Sequence, residues 1–94
     1  MTRLDLSDDE KWRKFAAELG LQIHRLRVSR GLSQEAVAYR AGLTRFTYQR
    51  YERGEAQSGA PSNPTLRTLL ALAQVFGVTI QELIPAGQPD VTAR

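Results

Sequence analysis

Between Thr44 and Gly54 lies the run Arg45-Phe46-Thr47-Tyr48-Gln49-Arg50-Tyr51-Glu52-Arg53. Its polar chemistry is guanidinium and amide, not nucleophile and base. A guanidinium offers a planar fork of donors that grips a phosphate or a guanine edge with two bonds. A glutamine amide donates and accepts together, as an adenine edge requires. On a helical projection, Arg45, Gln49, Arg53, Phe46 and Arg50 fill one arc, while Thr47, Tyr48 and Tyr51 fill the opposite one. The tyrosines are expected in the core and the basic arc in solvent. Two charges are misplaced by local rules. Arg45 stands in the first turn, where the helix dipole disfavours a cation by roughly 0.3–1 kcal/mol. Glu52 is an acid near a helix C-terminus and needs a positive partner. Phe46 has no evident core role. It either lies against thymine methyl groups or packs on the N-terminal part of the chain. The set fits the major groove of double-stranded DNA.

The elements that must position this run are helical, and no strand is expected. Ser7-Asp8-Asp9-Glu10 reads as a capping box opening helix 1. Trp12, Phe15, Leu19, Ile23 and Leu26 then form an apolar stripe. Gly20 interrupts it at about 1 kcal/mol relative to alanine, so the segment is either one helix to about Ser29 or two with a kink. Ser33 caps helix 2, which ends near Ala41. Gly42 and Leu43 make the turn, and Thr44 caps helix 3, which ends at Gly54. Glu55 to Asn63 is a loop of small, polar and proline residues. Thr65 caps helix 4, with Leu66, Leu69, Leu70, Ala73 and Phe76 as its inward face. Thr79-Ile80-Gln81-Glu82 is a second capping box, opening a short helix 5 that Pro85 stops.

Ninety-four residues suit one domain with a modest core. There is no cysteine, hence no disulfide and no thiolate nucleophile. No segment is long and apolar enough for a membrane span, and the acidic N-terminus is unlike a signal peptide. A soluble cytoplasmic protein is expected. The net charge of +3 conceals a gradient. From Arg25 to Arg53, seven arginines stand against Glu35 and Glu52, a local charge of +5; the rest carries six basic and eight acidic residues. A basic middle between acidic flanks is a localised footprint for a polyanion. His24 is the single histidine and has no carboxylate cluster to make a metal site. Neither an enzyme nor a cofactor, metal or small-molecule ligand is indicated.

Residues 19 to 84 resemble the lambda-repressor-like helix-turn-helix family, of the Cro/repressor or xenobiotic-response-element type. The likeness is carried by Ile23-x-x-Leu26-Arg27-x-x-Arg30-Gly31-Leu32-Ser33-Gln34-Glu35-x-Val37-Ala38-x-x-Ala41-Gly42-Leu43-Thr44, by Tyr48-x-x-Tyr51-Glu52-Arg53-Gly54, by Pro64-Thr65-Leu66-x-Thr68-Leu69 and by Phe76-Gly77-Val78. It implies an all-α, five-helix DNA-binding domain. Residues 1–18 lie outside the pattern and read as an N-terminal extension of helix 1, and residues 85–94 read as a disordered tail. The resemblance implies base contacts from Arg45, Phe46, Gln49 and Arg50. It implies phosphate contacts from Gln34, Thr44 and Arg53, with Gln34 also bracing the recognition helix. It also implies a structural salt bridge between Arg27 and Glu52. The loop from Glu55 to Asn63 is longer than the family usually has, and Phe46 stands where a polar residue is common.

The function expected is sequence-specific regulation of transcription, with a homodimer spanning a pseudo-palindromic operator. Ala17, Leu21, His24 and Val28 form a second stripe on helix 1 at coiled-coil-like steps. Either Leu21, His24 and Val28 or the last helix around Leu83 and Ile84 would supply the dimer surface. The alternative for the stripe is cover by the acidic N-terminal segment. The rival function is an antitoxin or other protein-interaction module built on the same fold.

Overall fold

A computed structural model describes residues 3–92. Five helices follow in order: α1 (Arg3–Ser29), α2 (Gln34–Ala41), α3 (Arg45–Arg53), α4 (Leu66–Phe76) and α5 (Ile80–Leu83). Four of them start on the same device. Ser33, Thr44, Thr65 and Thr79 are extended residues whose side-chain oxygens each accept the amide three residues on, satisfying one donor that the helix start leaves over. Thr79 and Glu82 complete a reciprocal capping box. The helix α1 differs from expectation at its start. Its backbone is helical from Arg3, so Ser7 lies within it and is not its cap.

The 27 residues of α1 span about 40 Å at the helical rise, which accounts for most of the 45 Å long dimension of the molecule. The helix is continuous through Gly20, and the glycine has a packing reason. A Cβ there would stand 2.5 Å from the Glu52 carbonyl oxygen and 2.6 Å from that of Tyr51. Gly54 matches it from the other side: its φ is +74°, and a Cβ would meet Ala17 Cα at 2.7 Å. The two glycines let the end of α3 press directly on the backbone of α1.

The core is Leu19 and Ile23 of α1, Val37 and Ala38 of α2, Tyr48 of α3, Leu72, Ala73 and Phe76 of α4, and Leu83. Two expectations are corrected here. On α4, Leu66 and Leu70 point to solvent, because the inward stripe is Leu69, Leu72, Ala73 and Phe76 and the two leucines, one turn apart, lie on its flank. Leu83 is fully buried, so it cannot form a dimer surface; at that end only Ile84, partly buried against the core, remains. Side chains tie the ends of the bundle. Arg30 Nε donates to the Phe76 carbonyl at 2.9 Å, closing the C-terminus of α4, and Gln22 Nε2 donates to the Glu82 carbonyl at 3.1 Å. The segment Glu55–Asn63 folds as a small hairpin with an isolated antiparallel bridge between Glu55 and Pro61. Arg13 Nη1 anchors it by donating to the Gly59 carbonyl at 3.1 Å. Residues 86–90 run beside α1 and enclose with Lys11, Lys14, Phe15 and Glu18 a cleft of about 420 Å³.

Candidate nucleic-acid interface

The geometry of α3 is set by what its inward side holds. Tyr48 is fully buried, yet its hydroxyl reaches the edge of the core and donates to Glu52 Oε2 at 2.5 Å. The two residues are one turn apart on the same helix, which brings their side chains together. Glu52, with a side chain 7% exposed, is the hub. Arg27 Nε donates to Oε2 at 2.6 Å, and Arg27 Nη1 continues to the Leu32 carbonyl at 3.0 Å. Gln34 Nε2 donates to Oε1 at 3.1 Å, and Gln49 Nε2 donates to Gln34 Oε1 at 3.0 Å. His24 Nδ1 lies 3.1 Å from Oε1. A carboxylate only accepts, so that contact requires the Nδ1–H tautomer. The 3.3 Å approach of Arg27 Nη2 to the same nitrogen is then a close passage of two donors.

One carboxylate therefore joins α1, α2 and α3. Burial by itself would raise the Glu52 carboxyl. The hydrogen bonds from Arg27, Tyr48, His24 and Gln34 outweigh it and hold the group at about 2, against an ordinary 4.5. Burial, with the hydrogen bond to Glu52, pushes the Tyr48 phenol up. The Glu52 hydrogen bond likewise raises Arg27. All three effects keep Glu52, Tyr48 and Arg27 each in one charge state through the neutral range. Such a buried pair is weak evidence for stability but a strong constraint on geometry.

The outward side of α3 carries the remaining groups. Arg45 and Phe46 are exposed, Gln49 and Arg50 half-buried, and Arg53 exposed. Phe46 is 64% exposed and stands outside the apolar cluster and its surround. Arg45 Nη1 approaches Glu35 Oε2 at 3.9 Å, an exposed pair of little energetic weight. Thr44 is committed as a cap: its hydroxyl oxygen accepts the Thr47 amide at 3.1 Å and its proton goes to Thr47 Oγ1 at 3.0 Å. Arg27, Ser33, Gln34, Glu35 and Arg45 line an open polar cleft where the starts of α2 and α3 meet the end of α1. A second cleft lies between α3 and the hairpin, lined by Thr47, Arg50, Tyr51, Gln57, Ser62 and Asn63 among others. Ser62 Oγ is buried there with no partner among the described residues.

The residues that the resemblance assigns to DNA lie on or beside the outward side of α3; Gln34, in the cleft with Arg45, also braces Glu52 and Gln49. His24, placed on a dimer stripe by its spacing, instead turns a ring nitrogen to Glu52. Gln34 braces the recognition helix as the resemblance implies, through Glu52 and Gln49; the hydrogen bond from Tyr48 to Glu52 lies outside those expectations. The four-residue step from Tyr48 to Glu52 is the one signal that pointed there.

A short helix held by its inner side and baring arginine and glutamine across a tight turn from a preceding helix defines a helix-turn-helix DNA-binding domain. The chain belongs to the helix-turn-helix family, whose model matches residues 23–83. It is similar to the cryptic phage CTXphi transcriptional repressor RstR of Vibrio cholerae, 37% identical over 70 residues, or 74% of this chain and 58% of that protein. It is also similar to an uncharacterized HTH-type transcriptional regulator, y4dJ, of Sinorhizobium fredii, 39% identical over 66 residues, or 70% of this chain and 78% of that protein. Among solved structures, the restriction-modification controller protein C.AhdI from Aeromonas hydrophila superposes with a TM-score of 0.64 at 30% identity, covering 73% of this chain and 96% of that one. The DNA-binding domain of BldD superposes with a TM-score of 0.61 at 28% identity, over 77% of this chain and 96% of that one.

Proposed function

We propose that this protein is a sequence-specific transcriptional regulator that places α3 in the major groove of operator DNA as a homodimer. The observation that carries the reading is the division of α3: its inner side is fixed by Glu52 to two other helices, while Arg45, Phe46, Gln49, Arg50 and Arg53 are left on the outer one. Arg45, Phe46, Gln49 and Arg50 read base edges. Arg53, the second amide hydrogen of Gln34 and the Thr44 hydroxyl, its proton turned from Thr47 while its oxygen keeps the cap, meet phosphates, which set register without carrying sequence. The named regulators among its relatives support the same reading.

Two copies are required by scale, since nine residues of α3 reach only a few base pairs. A two-fold dimer puts two recognition helices one helical turn of DNA apart. Leu21 and Val28, exposed along α1, are the surface we assign to that contact. Regulation then follows from occupancy, and the concentration of the protein or a partner sets it. The reading is tested by in vitro selection of bound duplexes from a random pool. The expected product is a pseudo-palindrome with half-sites about one turn apart. Equal retention of all sequences would overturn it.

A further inference from the structure

Phe46 and Arg45 form a unit of their own at the start of α3. The ring is bare to solvent, and the Arg45 guanidinium carbon stands 5.8 Å from its centroid. Glu35 approaches the same guanidinium through Nη1. Nε and Nη2 donate to no described residue. The fork is thus held against an apolar ring with donors to spare.

When an arginine fork takes guanine O6 and N7, it lies near the plane of that base pair. A ring packed against the fork then lies at the level of the neighbouring pair. A pyrimidine on the 5′ side of the guanine presents its C5 position there, and thymine carries a methyl at C5 where cytosine carries hydrogen. An exposed phenylalanine has no hydrogen bond to offer this edge. It discriminates by covering the methyl.

We propose that Arg45 and Phe46 form a methyl-sensing subsite for a pyrimidine–guanine step, with Arg45 on the guanine and Phe46 over the C5-methyl of the preceding thymine. The inference rests on the reading of α3 as the DNA-contacting helix and adds to it the chemical group recognised. It has a regulatory consequence. Cytosine at that step is a poor ligand, and 5-methylcytosine restores the methyl, so enzymatic methylation of the DNA strengthens binding at this position.

The test uses the full chain and the duplex enriched from a random pool. Each thymidine is replaced singly by deoxyuridine, which removes only the methyl. One symmetry-related pair of positions, 5′ to a guanine, is expected to lose affinity about fourfold per methyl, the worth of one buried methyl group. With cytosine at the same position, 5-methylcytosine is expected to bind tighter than cytosine by a similar factor. Phe46→Ala binds more weakly overall and shows neither difference, while it still prefers guanine at the adjacent position. Its circular dichroism melt stays that of the parent protein, because the ring is outside the core. Arg45→Ala loses the guanine preference. An enriched duplex indifferent to every deoxyuridine overturns the subsite alone. So does an uracil effect that persists in Phe46→Ala. A pool that yields no enriched sequence overturns the subsite and the DNA reading together.

Discussion

Glu52 is the residue on which the interface turns, and its charge state links stability to pH. Its carboxyl is held at about 2 in the folded protein, against 4.5 ordinarily. A depressed acid stabilises the fold above its unfolded value and loses that contribution as pH falls through the folded one. Stability should therefore decline between pH 4.5 and about 2. Glu52→Gln keeps the shape but leaves Arg27 facing a neutral group. We expect it to cost roughly 2–3 kcal/mol at pH 7. Urea melts should show the gap to the parent protein closing toward pH 2. A gap that stays constant with pH would remove Glu52 as the source. The basic arc of α3 makes a different prediction. Arg50→Ala should cost about 1–3 kcal/mol on the selected site and relax the preference at one base pair. Arg53→Ala should weaken every sequence alike and flatten the dependence of affinity on salt. Binding isotherms on cognate and scrambled duplexes at two salt concentrations separate the two roles.

At the scale of the element, the starts of α2, α3, α4 and α5 were legible because a cap is a local contract. A serine or threonine oxygen meets an amide three residues on, and nothing distant is consulted. The start of α1 was not, because Ser7 and Glu10 satisfy the same pattern but the helix carries on upstream to Arg3. The face of α4 was also misjudged at Leu66 and Leu70. Periodicity allows an apolar arc wider than the core fills, and which part of that arc turns inward depends on which helices lie opposite. Gly20 is the sharpest case. Local propensity sees only a cost in it, whereas contact with the Tyr51 and Glu52 carbonyls makes it necessary. Gly20→Ala should improve helix propensity by about 1 kcal/mol, yet destabilise the protein by about 2 kcal/mol net through overpacking against backbone. A thermal melt decides the sign. The Arg27–Glu52 pair came from resemblance to a family; the Tyr48, Gln34 and His24 hydrogen bonds to the same carboxylate needed three helices to be in place.

At the scale of the molecule, the charge gradient of the chain is partly redirected by the fold. Of the seven arginines between Arg25 and Arg53, Arg27 serves Glu52 and Arg30 serves the end of α4. The footprint is consequently narrower than the composition suggests and centres on α3. No described helix is long and apolar enough to cross a membrane. Self-association through α1 makes a prediction at this scale. Leu21→Asp, at a position 45% exposed on α1, should leave the melt intact and shift the mass seen by light scattering toward the monomer. An unchanged mass would move the contact elsewhere, with Ile84 next in line.

The split of α3 into a fastened side and a bare side bears on how such a protein acquires new targets. The side chains of Arg45, Phe46 and Arg50 make no hydrogen bond to a described residue, so a lineage can exchange them, and with them the proposed operator, without renegotiating the fold. Gln49 is the exception, since its amide is tethered through Gln34 to Glu52. Of the four side chains proposed to read bases, it is the letter that drifts last.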